Sequence, residues 1–283
     1  MINNRDEKNQ NKFQADCTNC YGLCCIALPF AKSSDFSFDK DGGTPCPKLQ
    51  SDYRCSIHQL LRERGHKGCA VYECFGAGQK VSQVTYNGKS WRESPNQSEE
   101  MFRVFPIMQQ LHEILYYLHE ARKISAAKSI HEQLDQVIEH TERLTLLATK
   151  EILKINVHAH RANINPLLLE ASRLVRMNVA KPNNQNLRKK TGSRMDLIGV
   201  KLSGENLRGS DMRGALLIAA DLRGSDLRET NFIGADLRDA DLSGANLSGS
   251  IFLTQAQVNA AKGNHTTKLP NGLHIPSHWD RVG

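Results

Sequence analysis

The chain has 283 residues, of which 39% are apolar and 24% are charged, and its formal net charge at pH 7 is +7. It contains no run of about 18 apolar residues, which argues against a membrane span. A chain of this length is expected to form two or three domains.

Residues 1–14 predict a disordered N-terminal tail. The opening stretch, MINNRDEKNQNKF, is polar and charged and lacks the apolar core of a secretion signal. We therefore expect a cytoplasmic protein. In that reducing compartment cysteines seldom form a disulfide framework.

Residues 15–95 predict a small metal-binding domain, because all eight cysteines of the chain lie between positions 17 and 74. Cys17 and Cys20 have the C-x2-C spacing that lets two thiolates hold one metal ion. Metal binding is favoured over redox thiols and over merely buried cysteines. Eight thiols exceed the needs of one four-coordinate ion, so either two metals bind or some thiols pack or resolve oxidation. The predicted metal ligands are Cys17, Cys20, Cys24, Cys25, Cys46, Cys55, Cys69 and Cys74.

The order of these cysteines resembles the family of zinc- or iron-chelating domains named for its CxxCxxCC motif. The matching features are the Cys24-Cys25 pair, Cys46 between two prolines, the step Cys55-Ser56-Ile57-His58, and two closing cysteines. One extra residue before the Cys-Cys pair departs from the motif. The resemblance implies bound zinc or iron, including an iron–sulfur cluster, since all-thiolate sites suit both. His58 and His66 are candidate ligands or proton carriers, but a surface or hydrogen-bonded role is favoured for each.

Residues 96–180 predict a helical domain. Apolar residues at helical spacing, such as those from Met108 to Leu118, indicate three or four helices packed as a small bundle, with Pro106 and Pro166 marking helix starts. Residues 181–194 contain five basic residues and no acid, and this polar stretch predicts a linker. It has no interleaved aromatic residue, which argues against a nucleic-acid contact.

Residues 195–255 carry a repeat of five residues. A period of five fits neither a helix nor an alternating strand, and it predicts a solenoid. The residue two positions after each centre is glycine in eight of twelve units, which permits a left-handed corner. The twelve apolar centres are Leu197, Leu202, Leu207, Met212, Leu217, Leu222, Leu227, Phe232, Leu237, Leu242, Leu247 and Phe252.

This repeat resembles the pentapeptide-repeat family, whose unit reads A(D/N)LxG, as in Ala240-Asp241-Leu242-Ser243-Gly244. The resemblance implies a right-handed quadrilateral β-helix of about three coils, in which residues twenty apart stack along one side. The whole chain resembles bacterial pentapeptide-repeat proteins with a cysteine-rich N-terminus. Residues 256–283 predict a C-terminal cap, with a helix at 256–261 and Ile275 and Trp279 as anchors.

The outward positions of the repeat are mixed in charge. Residues 196–255 contain nine acids and six bases, a net charge of −3. A pentapeptide-repeat protein that mimics duplex DNA to bind gyrase would need a surface that is more uniformly negative than this one. We therefore expect a protein partner through the repeat surface, and neither a nucleic acid nor a membrane. The sequence indicates no oligomeric state.

Two functions remain open at this point. A non-catalytic metal-binding scaffold is favoured, because no nucleophile–base arrangement stands out. An iron–sulfur or zinc-dependent oxidoreductase with the repeat as its scaffold is the alternative, because the cysteines are in surplus. A gyrase-binding DNA mimic is more remote.

Overall fold

A computed structural model of the protein describes residues 12–177, 179 and 196–279, which divide into two compact units. Unit 1 comprises the described residues up to His119 together with Glu132–Pro166. Unit 2 comprises Glu120–His131 and the described residues from Leu167 onward. The predicted tail lies outside the described residues except for its last three, and the predicted linker at 181–194 lies wholly outside them.

Helices account for the regular structure before the repeat, as predicted for the middle of the chain. No helix in the described part of the chain is both long enough and apolar enough to cross a membrane. The α-helices are α1 (Leu23–Ala27), α2 (Lys67–Val71), α3 (Ala77–Gln79), α4 (Pro95–Lys123), α5 (His131–Leu144), α6 (Thr149–Ile152), α7 (Val157–Met177) and α8 (Gln255–Ala260). Short 3-10 turns occur at Cys17–Asn19, His58–Leu60 and Ser125–Ile130, and a π-helical turn at Lys80–Thr85.

The prediction that Pro106 and Pro166 begin helices is wrong, because both lie inside helices, α4 and α7 respectively. A proline inside a helix removes one backbone hydrogen bond and costs about 3 kcal/mol. In α4 the neighbouring Phe105 and Met108 are almost completely buried, and their burial offsets that cost. The helix begins instead at Pro95, where a missing N–H matters least.

The cysteine-rich segment does not have a core of its own. Leu23 and Ile26 of α1 pack with Val81, Met101 and Phe105 in one buried cluster. Small loop-rich segments bury little apolar area by themselves, so sharing the core of α4 stabilises this one. Cys24 and Cys74 pack against this shared cluster.

The repeat forms a solenoid with the predicted register of twenty residues. Isolated parallel bridges join Asp196 to Leu216 and Leu216 to Asp236, and the same spacing recurs on the other sides. Between coils, the N–H of Leu217 donates to the carbonyl of Asp236 at 2.8 Å. Each extended step is so short that it makes single bridges rather than long strands.

The apolar centres form the axis of the solenoid, as predicted. All twelve are at most 2% exposed, and the small residues two positions earlier, such as Ala220 and Ala240, are buried beside them. The corner position two residues after a centre has a positive φ at the repeat glycines, for example 64° at Gly224. Glu229 adopts a φ of 55° at the same position, which is strained for a residue with a side chain. Two hydrogen bonds from Arg208 hold its carboxylate.

Two residues that flank a centre are buried, Asn231 and Leu253, contrary to the prediction that such residues face solvent, whereas the other flanking residues of the repeat are at least partly exposed. Asn231 is 0% exposed and donates through Nδ2 to Ser172 Oγ on α7 at 2.9 Å. Arg176 of the same helix pairs with Asp211 one coil away at 3.3 Å. The C-terminal half of α7 therefore covers this side of the solenoid, and the polar side chains meet as hydrogen-bonded pairs.

The last coil is covered by the C-terminal segment. α8 begins with a capping box, in which Thr254 and Gln257 exchange hydrogen bonds, close to the predicted start. Trp279 is buried and its indole N–H donates to the carbonyl of Ala261 at 2.9 Å. Lys262 and Lys268 bridge to the last coil at longer spacings than twenty residues, so the cap extends the solenoid with irregular loops.

We predict that Leu222→Asp destabilises unit 2 strongly, whereas its neighbour Arg223→Ala does not. Leu222 is 0% exposed in the middle of the axis, and burying an unpaired carboxylate there should cost about 3 kcal/mol or more. Arg223 is exposed and paired with Asp221 across a solvent-screened contact. Thermal melting of the full-length variants measures the difference. Equal melting temperatures would show that the register is wrong.

Candidate functional site

Four cysteines, Cys17, Cys20, Cys24 and Cys74, interact with one another in unit 1 and form what we call the first group. Cys17 and Cys20 flank a single 3-10 turn, and Cys20 Sγ lies 3.7 Å from the carbonyl oxygen of Cys17. Gly78 lies against both Cys20 and Cys74. A Cβ at Gly78 would approach the Cβ of Cys20 to 2.8 Å, and the Gly78 N–H donates to the sulfur of Cys74.

The other four cysteines, Cys25, Cys46, Cys55 and Cys69, form the second group. The N–H of Cys46 donates to the carbonyl of Cys25 at 2.9 Å. An antiparallel bridge pairs Cys55 with Leu49, three residues beyond Cys46. Cys69 on α2 interacts electrostatically with the three other sulfurs of this group. The sequence thus brings together cysteines that are up to 44 residues apart along the chain.

The thiols of the first group have unequal acidities. A hydrogen bond from the thiol of Cys20 lowers the pKa of Cys17 to about 7, against the opposing effect of burial. The same hydrogen bond raises the pKa of Cys20. Cys17 is exposed and Cys20 is buried, so the pair presents one thiolate to solvent near neutral pH.

The thiols of the second group are also unequal in acidity, since the hydrogen bond from Cys24 lowers the pKa of Cys25, and a buried cation lies beside them. Burial raises the pKa of Cys69 to about 12. Lys40 is only 5% exposed, and its Nζ donates to the carbonyl oxygens of Ile26, Asp41 and Thr44 at 3.0–3.3 Å. Sequence reasoning missed Lys40, because nothing in its neighbourhood along the chain distinguishes it from a surface lysine.

No three His, Cys, Asp or Glu side chains in the described ranges are arranged so that they already enclose a metal ion. The assignment of the eight cysteines as metal ligands therefore stays a prediction. Their donor chemistry fits the expected group, since all eight sulfurs are free thiols and most are partly buried.

His66 has the hydrogen-bonded role that the sequence favoured. Its Nε2 lies 3.0 Å from Ser37 Oγ, and its ring packs edge-on against Phe38. The imidazole is almost fully buried, and that burial lowers its pKa. It is therefore a neutral structural residue in this arrangement.

A cavity of about 470 Å³ opens beside the first group. Its wall includes Asp16, which precedes Cys17, and Asn19, which precedes Cys20, together with Lys80 and the buried residue His112. Burial lowers the pKa of His112 to about 4, so its imidazole is neutral, and one ring nitrogen lies 2.8 Å from the carbonyl oxygen of Phe75. Charged and amide side chains are among its lining residues, and the cavity is large enough for a small molecule.

The repeat surface carries paired rather than isolated charges. On each of the four sides of the solenoid, an aspartate pairs with the arginine two residues later, at 2.5–3.0 Å. In three of these pairs the aspartate also accepts the N–H of that arginine, which fixes both side chains. The pairs are Asp211–Arg213, Asp221–Arg223, Asp226–Arg228 and Asp236–Arg238.

One side of the solenoid exposes apolar residues, and we call it the Leu216 side (residues 196–198, 216–218 and 236–238). Ile198 is 54% exposed and Leu216 is 41% exposed, and Ile218 occupies the position above Ile198 in the next coil. The pair Asp236–Arg238 lies on the same side, one coil further along. The sequence held this signal, since leucine and isoleucine replace the usual polar residues at these outward positions.

Comparison with known proteins agrees with this architecture. The model for pentapeptide repeats matches residues 193–228 and 215–252, with 8 copies of the repeat. The chain is also 62% identical over 265 residues to the uncharacterized protein YybG of Bacillus subtilis (strain 168), covering 94% of each chain. The chain belongs to the same family as YybG. It is a pentapeptide-repeat protein whose relative shares nearly its whole length, including the region of the cysteines.

Solved pentapeptide-repeat proteins align with short parts of this chain. Rfr23 from the cyanobacterium Cyanothece 51142 is 32% identical, with a TM-score of 0.22, and the alignment covers 24% of this chain and 46% of that one. The protein alr5209 from Nostoc Pcc 7120 is 28% identical, with a TM-score of 0.15, over 34% of this chain and 93% of that one.

We predict that Cys17 in the reduced, metal-free protein is alkylated with a midpoint near pH 7. The thiolate is the reactive form, and its pKa of about 7 depends on the hydrogen bond from Cys20. Replacing Cys20 by alanine should move the midpoint up toward about pH 8.5. Peptide mass spectrometry after iodoacetamide treatment measures both, with Cys69 as the slow internal control. An unchanged midpoint for Cys17 would contradict this assignment.

Proposed function

We propose that this protein is a non-catalytic, cytoplasmic scaffold. In this proposal the cysteine-rich segment binds zinc or iron, and the repeat presents a rigid surface to a protein partner. The observation that carries the proposal is the Leu216 side, which combines exposed apolar residues with a fixed Asp–Arg pair on a backbone held by hydrogen bonds between coils.

The chemistry of the Leu216 side suits a protein partner. Contiguous exposed apolar residues with a polar rim are typical of protein-binding surfaces. The guanidinium of Arg238 is already oriented by Asp236, so binding costs little side-chain entropy. We expect a partner that offers an apolar side chain beside a carboxylate.

The same surface argues against mimicry of duplex DNA. Each of the four sides carries an Asp–Arg pair, so negative charge is cancelled locally rather than gathered on one face. One side is also occupied by α7 through Ser172 and Arg176.

Site-specific crosslinking tests the proposed binding side. A photoreactive residue at position 198 in the full-length protein should capture a defined partner in cells, and Leu216→Lys should abolish that capture. Ser248→Lys is the matched control, because it adds the same charge at an exposed position on another side. Capture that survives Leu216→Lys, or no capture above background, would contradict the assignment of this side.

The metal-binding part of the proposal leads to a separate prediction. Replacing Cys17 and Cys20 together by serine should lower the zinc or iron content of the purified protein and increase proteolysis of unit 1, because metal binding stabilises small loop-rich segments. Elemental analysis and limited proteolysis measure these effects. Unchanged metal content and unchanged protease resistance would contradict metal binding at this pair.

A metal-dependent oxidoreductase is the second candidate, and the cavity beside the first group favours it. Asp16 and Asn19, which precede Cys17 and Cys20 in the sequence, line the cavity, and in this candidate a substrate bound there would react with the exposed sulfur of Cys17. An anaerobically purified protein that is brown, with charge-transfer absorption that bleaches on reduction, would favour this candidate. A colourless zinc protein favours the scaffold.

We predict that the purified protein leaves DNA supercoiling by gyrase unaffected. The paired charges of the repeat do not reproduce the uniform field of a duplex. An in vitro supercoiling assay at micromolar protein is the measurement. Inhibition of supercoiling, or protection of gyrase against a fluoroquinolone, would favour the DNA mimic instead.

A further inference from the structure

We infer that the eight cysteines form two separate four-thiolate sites, and that the buried ammonium of Lys40 makes the second site the tighter one. The sites correspond to the first group and the second group defined above. This inference rests on the proposed metal binding. It assigns each cysteine to one of the two sites and predicts which site binds its metal ion first.

Backbone contacts bring the members of each group together. Gly78 joins Cys20 and Cys74 of the first group, since its absent side chain admits Cys20 and its N–H donates to Cys74. The Cys46 N–H to Cys25 carbonyl bond anchors the second group, and the bridge between Leu49 and Cys55 brings in the third sulfur.

The two groups meet at the consecutive residues Cys24 and Cys25 on α1. Their sulfurs are 3.9 Å apart, but neighbouring residues on a helix point in different directions. Cys24 interacts with Cys17 and Cys20, whereas Cys25 interacts with Cys46, Cys55 and Cys69 as well as with Cys17. One sulfur can therefore serve each site.

Both groups contain sulfurs that accept backbone hydrogen bonds, with four donors in the first group and two in the second. Two sulfurs in each group accept a hydrogen bond from the N–H of the residue two positions later. Such donors stabilise a thiolate and tune a bound metal. The donor–acceptor pairs with this spacing are Gly22 to Cys20 and Gly76 to Cys74 in the first group, and Lys48 to Cys46 and Ile57 to Cys55 in the second.

The charges around the two groups differ in sign. Four thiolates and one divalent ion leave a net charge of about −2, which favours a nearby cation. Lys40 supplies one, and it interacts with Cys46 and Cys25 of the second group and, less strongly, with Cys24 of the first. Its three hydrogen-bond acceptors are neutral carbonyls, so the charges that compensate its burial are the sulfurs and the carboxylate of Asp41. The first group faces the carboxylates of Asp16 and Glu73 instead.

Stepwise removal of zinc from the full-length protein tests this partition. The zinc-loaded protein is titrated with a chelator, alkylated, and mapped by peptide mass spectrometry, while native mass spectrometry counts the remaining ions. We expect two ions per chain. Loss of the first should expose Cys17, Cys20, Cys24 and Cys74 together, and loss of the second should expose Cys25, Cys46, Cys55 and Cys69.

Lys40→Met tests the role of the cation, with Lys32→Met as the matched control on the exposed surface. Lys40→Met should weaken the second site by roughly 10-fold, as loss of an outer-shell partner does, and should leave the first site unchanged. The first site thus reports whether the variant is folded.

The outcomes separate the partition from the proposed metal binding. A single zinc at saturation, or release that exposes all eight cysteines together, overturns the two-site partition while metal binding stands. Equal effects of Lys40→Met on both sites overturn the role of Lys40. A protein that binds no zinc at any concentration overturns metal binding and the partition with it.

Discussion

The hydrogen bonds between successive coils are the constraint on which unit 2 depends. The N–H of Leu217 reaches the carbonyl of Asp236, and the N–H of Leu222 reaches that of Asp241, so each coil fixes the height and rotation of the next. Because these bonds use the backbone, the outward side chains are free to vary. The apolar centres and the small residues two positions before them need only fill the interior of the solenoid, whose cross-section is the same in every coil.

The solenoid was the most predictable part of the chain, because its constraint is local and repeated. The spacing of the apolar centres from Leu197 to Phe252 gives the repeat length of five residues. That length sets the register between coils without any long-range information. The burial of Asn231 was not predictable in the same way. The repeat sequence does not indicate that Ser172 contacts Asn231, because these two residues are 59 positions apart in the chain.

The helices show a different limit. Pro106 and Pro166 are strong local signals for a helix start, but both lie inside helices. Burial of neighbouring residues such as Phe105 outweighs the backbone hydrogen bond that a proline removes. For the cysteines the sequence indicated a shared chemistry but no grouping. Lys40 could not be found from its sequence neighbours, because its role depends on carbonyls contributed by Ile26 and Thr44. The identity of any metal, like the domain boundaries, stays a prediction.

Each five-residue unit forms one of the four sides of a coil, and this geometry limits how the length of the repeat can change. Inserting or deleting one repeat unit leaves the buried axis filled, but it moves every later outward residue onto the neighbouring side. Arg238 would then no longer share a side with Ile198 and Leu216. Only a change of twenty residues keeps all the surfaces in place. Gain or loss of whole coils is therefore the mutation that preserves an established binding side, whereas smaller length changes create new ones from the same side chains.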